Sequence, residues 1–256
     1  MSDVLKEYPV EQVHRWYHRL ADAVLARKVD GNDPLSGQFL KKYLENRSRT
    51  ATYTFTPPVY FRSSAEVVQA LRFHRRVFLT EERARLGGGL RWAGLIPRLK
   101  DGRWDGQSRL SLHYESLVEY GGTPIDIARI QLRGTPAEQD LFTSLRGFQL
   151  RSDIAVTGAA QGSQVLVTFQ SWQAVGIDTY DFNFDEYLTM PNPDYQSQDG
   201  DAIRPDLQSF RVFHTNAQRM ETANLAQPYG VRVGPWPVAD PNVTGRALID
   251  PNKRLP

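Results

Sequence analysis

The chain has 256 residues, 40% of them apolar and 23% charged, with no cysteine and a formal net charge of +2. Such a composition excludes wholesale disorder, and the length allows one large domain or two small ones. Disulfides, thiolate metal sites and cysteine nucleophiles are excluded together. No apolar run approaches the roughly 20 residues that cross a bilayer, and Met1 to Pro9 lack the basic start and apolar stretch of a secretory signal. Synthesis in the cytoplasm without a signal peptide is therefore expected. The charge is unevenly spread: residues 1–110 carry 20 Lys/Arg against 12 Asp/Glu, and residues 111–256 carry 11 against 17. A basic first part and an acidic second part could steer a partner or hold two lobes together.

A first helix is predicted from Pro9, whose fixed φ suits a first-turn position, with Val10, Val13, Tyr17, Leu20 and Val24 at helical spacing up to about residue 28. Asp33-Pro34 opens a second, carrying Leu35, Phe39, Leu40, Tyr43 and Leu44. Residues 52–56 alternate as a strand and stop at Pro57-Pro58. Ser63 and Glu66 have capping-box spacing, so a third helix is predicted over 64–86, ending at Gly87-Gly88-Gly89. Residues 87–107, rich in glycine, read as a connector. Leu110, Leu112 and Tyr114 alternate as a strand, and Thr135, Pro136 and Glu138 start a short helix with Leu141, Phe142 and Leu145 as its apolar face. Strands are predicted at 148–157 and 165–177, joined by Gly158 to Gly162, with Trp172 facing away from Val165 and Val167. Residues 190–205 are polar and Pro-rich. A strand is predicted at 210–214 and a helix at about 216–225, and from Gly234 onward the prolines read as an extended surface tail. The expected fold class is α+β, with a helical N-terminal lobe over 1–105 and an antiparallel β-rich C-terminal lobe over 106–256.

Few residues are placed for chemistry. His14 and His18 sit four apart on a helix, but Arg15 stands where a zinc peptidase helix carries its glutamate. The three glycines follow a helix, which is the wrong order for a phosphate loop. Arg72, Arg75, Arg76 and Arg83 share about one face of the third helix, and that face is expected to meet an anionic surface, either lipid headgroups or the acidic lobe. No fold signature of specific nucleic-acid binding accompanies it. The acidic segment Asp178 to Glu186 is the remaining candidate. Asp178 and Asp181, three apart at a strand end, can share a pocket, where they would shift each other's pKa or hold Mg²⁺ against a phosphate. Tyr180 would donate to an oxyanion. Equally, both aspartates can be turn formers bonded to backbone amides, with Tyr180 and Phe182 in the core.

The run Asp178-Thr179-Tyr180-Asp181-Phe182-Asn183 after a long strand resembles the active-site segment of the colicin M toxin family. The resemblance implies a helical N-terminal part, a β-rich activity domain and Mg²⁺-dependent cleavage of the peptidoglycan precursor lipid II. It makes Asp178, Tyr180 and Asp181 the catalytic set, with Asp178 and Asp181 at the metal and His214 or Arg211 returning to the site. Ile177 stands where the family has a further aspartate, and Tyr187-Leu188 where it has a His-Arg pair. The wider pattern, with Phe210 to His214 and Asn224 to Tyr229, also looks like proteins associated with bacterial secretion-system effectors. Two functions follow as expectations. One is a toxin or effector delivered to a target periplasm, with an immunity protein as partner. The other is a non-catalytic binding or assembly protein of a secretion or phage-like machine.

Overall fold

The computed structural model of the chain describes residues 5, 8–79, 110–162, 164–181, 187–191 and 209–249. Among them the architecture is α+β, with helices leading and strands dominating the later part. Helix α1 (Val10–Ala26) starts directly after Pro9 and buries Val13, Trp16, Tyr17, Leu20 and Ala21 on one stripe. Helix α2 (Leu35–Glu45) packs against it with Leu35, Phe39, Leu40, Tyr43 and Leu44 buried. Strand β1 (Thr52–Phe55) ends before the two prolines, as their missing N–H groups require. A one-turn helix, α3 (Val59–Arg62), follows, then α4 (Ala65–Leu79).

The capping of α4 differs from the sequence expectation. Ser64 is the cap, its Oγ accepting from Val67 N at 3.3 Å, while the Ser63 hydroxyl donates back to Val59 O at 2.9 Å and closes α3. The short helix claims Ser63 first. Residues 80–86 of the expected helix and the glycine connector lie outside the described residues.

Strand β2 (Leu110–Glu119) leads to helices α5 (Pro124–Arg133) and α6 (Pro136–Ser144). Helix α5 was not expected from the sequence, although Thr123 caps it with Pro124 at its first turn. Its charged residues Asp126, Arg129 and Arg133 share one side, while its apolar residues spread over a wide arc. Helix α6 has the predicted capping box, Thr135 and Glu138 each bonding the other's backbone N–H. Strands β3 (Gly147–Gln161) and β4 (Gln164–Tyr180) form the predicted hairpin but run longer at both ends. Gly158 to Ala160 are paired strand residues, and the turn is made around Gly162, whose φ of 62° favours glycine. A bulge between Ala155 and Val156 leaves Gln170 unpaired, as Ala155 faces Ser171 and Val156 faces Phe169. This one-residue insertion flips the alternation beyond it. Trp172 is therefore buried, stacked on Phe169 at 5.5 Å, rather than facing away.

After β5 (Tyr187–Pro191) and β6 (Ser209–Phe213), which pair antiparallel, helix α7 (His214–Thr222) begins two residues earlier than predicted. Pro235, Pro237 and Pro241 do not belong to a surface tail, and Pro251 and Pro256 lie outside the described residues. Tyr229–Pro237 is strand β7, with Val231, Val233 and Trp236 buried, followed by α8 (Pro241–Thr244) and β8 (Ala247–Ile249). Alternating apolar residues outweighed Pro235 and Pro237 there. Among the described residues the main sheet has the order β1-β7-β4-β3-β2, with β8 also paired to β4.

The chain clusters into two compact units, and they do not follow a division at residue 105. One comprises Met1–Tyr53, Gly121–Arg146 and Asp178–Val231; the other comprises Thr54–Tyr120, Gly147–Ile177 and Arg232–Pro256. The first unit's core centres on Tyr17, Leu20, Phe39, Tyr43 and Tyr229, and the second's on Phe61, Phe148, Val156, Val167 and Trp172.

Candidate functional site

Strand β4 continues to Tyr180, three residues past its expected end, so Asp178 is a strand residue and Asp181 directly follows the strand. Asp178 Oδ1 accepts a hydrogen bond from the backbone N–H of Thr179 at 2.8 Å. Burial pushes the Asp178 carboxyl up to about 7, the Thr179 amide pulls it down in part, and the charge of Asp181 adds to the rise. The charge of Asp181 thus reaches the Asp178 carboxyl, behind the larger effect of burial.

Tyr180 takes the second of its two expected roles, a packed ring. Its ring sits in an aromatic cluster of the first unit, with centroids 5.6 Å from Phe39, 6.0 Å from Tyr43 and 5.7 Å from Tyr229. Burial, followed by the charge of Asp140, pushes the phenol's pKa up. The neighbours are tied down in turn: Tyr43 donates to Glu221 at 2.8 Å, and Tyr229 donates to the carbonyl of Phe39 at 3.0 Å. This arrangement suits a packing residue, not a donor aimed at a phosphate.

His214 is the first residue of α7, and Arg211 lies in β6; the side chains of both lie outside the described residues. Among the described residues no group of three or more His, Asp or Glu side chains is arranged to hold a metal ion. His14 and His18 pack edge to face at 4.6 Å, and His14 Nε2 lies 3.1 Å from the carbonyl oxygen of Leu44. Burial and the nearby His14 lower the pKa of His18. One nitrogen of this pair is thus already engaged with backbone.

On the basic face of α4, Arg75 turns to the acidic second part of the chain, but to carbonyls and a ring and not to carboxylates: it donates to the carbonyls of Val243 and of Gly245 (2.7 Å) at the end of α8 and lies over the Phe169 ring at 5.0 Å. Carbonyls left open at a helix end are natural partners for a cation. Arg72 and Arg76 remain exposed, and Arg83 lies outside the described residues.

The structure brings together residues that no sequence pattern links. Arg72 and Arg76, with Glu66, Gln69, Ala70 and Phe73 of α4, line a cleft of about 520 Å³ whose other wall is Ser116 to Glu119 of β2. The recurrence at 66, 69, 73 and 76 marks one helix face, but no sequence signal names the strand that faces it. Searched against protein-family models, characterised proteins and solved structures, the chain matches none of them.

Proposed function

We propose that the chain is a non-catalytic binding or assembly protein, of the kind that serves a secretion or phage-like machine, and that it meets a partner through α5. The observation carrying this reading is the exposure of Ile125 and Leu132, at 81% and 80%. Seven residues apart, they lie on one helix face, with Ala128 exposed between them. Ile130 is the buried residue of this helix, so the opposite stripe holds α5 in place while the Ile125–Leu132 ridge stays in water. Covering two such side chains contributes about 1.5–3 kcal/mol each. The behaviour of Asp178 and Tyr180, one bonded to a backbone amide and the other packed among rings, supports the same reading.

The double variant Ile125→Glu/Leu132→Glu tests it. Both side chains are exposed, so melting is expected to shift by less than about 3 °C. A photo-crosslinking residue at Ala128 is expected to give one defined product in the native host, and the double variant is expected to lose it. Identical crosslinking by the double variant would exclude α5 as the binding face.

A second reading has its own support. The Asp178 carboxyl is raised mainly by burial and further by the charge of Asp181, and a divalent cation would favour its charged form. Mg²⁺ commonly takes one or two carboxylates and keeps several waters, so this reading asks for no third protein ligand beside Asp178 and Asp181. The chain would then be an antagonistic effector or bacteriocin-like toxin hydrolysing lipid II, delivered to a target periplasm and neutralised by an immunity protein. In this reading purified lipid II releases its pyrophosphorylated headgroup with Mg²⁺, not with chelator, and Asp181→Asn abolishes release while leaving folding intact. Absence of release by the wild type under Mg²⁺ rejects it.

A further inference from the structure

The cleft between α4 and β2 runs along a sheet edge. Strand β2 ends the order β1-β7-β4-β3-β2, pairing with β3 on one side and with no strand on the other among the described residues. Four consecutive residues, Ser116, Leu117, Val118 and Glu119, line the cleft. Successive side chains on a strand point to opposite faces, and here Val118 is buried while Leu117 is 57% exposed. A cleft touching both faces of a strand must follow its backbone edge. Over four residues that edge is about 13 Å long, and every second residue offers an N–H and a C=O outward.

The cleft is also polarised in charge. The Ser64 hydroxyl meets the Tyr120 hydroxyl at 2.9 Å, and the His74 ring meets Ser116 at 2.7 Å and Tyr114 at 4.8 Å. Helix α4 therefore runs antiparallel to β2. Glu66 and Glu119 fall at one end of the cleft and Arg72 and Arg76 at the other. A peptide adding antiparallel to β2 enters at the acidic end with its N-terminus and leaves at the arginines with its C-terminus. Its own chain polarity matches the walls.

We propose that this cleft binds an extended peptide by β-strand addition to the outer edge of β2, antiparallel, with a basic residue or N-terminus at Glu66 and Glu119 and a terminal or side-chain carboxylate at Arg72 and Arg76. The edge supplies main-chain hydrogen bonds, and α4 supplies the second wall and the directional charge. The proposal stands independently of α5, since the two surfaces share no residue.

The probe is the hexapeptide Lys-Thr-Val-Thr-Val-Glu with free termini, titrated into the isotope-labelled full chain and followed by amide shifts and hydrogen exchange. Saturable shifts confined to residues 114–119 and 66–76 are expected, with slowed exchange along 114–119. The reversed sequence, Glu-Val-Thr-Val-Thr-Lys, is expected to bind at least about tenfold more weakly. Arg72→Glu/Arg76→Glu, at two exposed positions, is expected to abolish that preference, because both ends of the cleft are then acidic. Two isomers of the probe N-methylated on alternate amides should separate, one binding and the other not, because only one set of amides faces β2. The proposal is overturned by no shift at millimolar peptide, by equal affinity for both sequence orders, or by both methylated isomers binding. It is equally overturned if amides 114–119 are fully protected before peptide is added, since the edge is then filled by the chain itself.

Discussion

Asp140→Ala is expected to cost about 3–4 kcal/mol, read as a lowered urea midpoint at unchanged slope. Helix α2 begins after Pro34, which supplies no side-chain cap. Its first amides are satisfied from α6 instead: Asp140 Oδ2 accepts from Leu35 N at 2.9 Å, and Oδ1 accepts from Ser36 N at 3.0 Å and from the Ser36 hydroxyl. Asp140 is 5% exposed, so water cannot replace these bonds. Removing the carboxylate strands two amides and a hydroxyl in the interior and deletes a negative charge at a helix N-terminus. Asp140→Asn keeps the size and one acceptor oxygen, and should lose about half as much. Glu138, two residues earlier, makes an outwardly similar pair of bonds, to Thr135 and Arg129, but on the surface. Its replacement by alanine is expected to cost no more than about 1 kcal/mol. An Asp140→Ala penalty as small as that of Glu138 would show that α2 does not depend on this cap.

That contrast marks how far the sequence reaches. The Thr135–Glu138 box was legible because both partners lie within four residues, and the α1 and α2 stripes were legible because helical period is local. Asp140 reads in the sequence as one more polar residue of a short helix, since its partners lie 104 and 105 residues away. The hairpin was visible, while the bulge that inverts Trp172 depends on a cross-strand register that alternation alone does not carry. The C-terminal strand was missed because two prolines outvoted Val231, Val233 and Trp236. At the site, the short acidic segment suggested two neighbouring carboxylates, and the charge of Asp181 does add to the rise of Asp178, behind burial. It allowed Tyr180 a place in the core but could not name the partners there, Phe39, Tyr43 and Tyr229, which are remote in sequence. The α4–β2 cleft was hidden for the same reason, because strand order decides which edge is left open.

The second large effect concerns acid. His74 on α4 is fully buried, with Nδ1 2.7 Å from the Ser152 hydroxyl and Nε2 2.7 Å from the Ser116 hydroxyl. A neutral imidazole donates through one nitrogen and accepts through the other, and two serines can answer both. Burial pushes its pKa down to about 4, against an ordinary value of 6.5. The unfolded chain therefore takes the proton first. The ring's stabilising contribution is complete above about pH 6.5 and is lost as pH falls from there through 4, by about 3 kcal/mol in all. Other groups titrate over the same range, so the measurement is the difference between wild type and His74→Leu, by urea unfolding at several pH values. At pH 7 the variant should be less stable by about 2 kcal/mol, because Ser152 loses its partner in the interior. The gap should close at about pH 5 and be reversed by about pH 4, where the wild type bears the cost of keeping His74 neutral and the variant does not. A gap that stays constant from pH 7 to 4 would mean that the folded protein protonates His74 as readily as the unfolded chain, and that the serine pair does not hold the ring neutral.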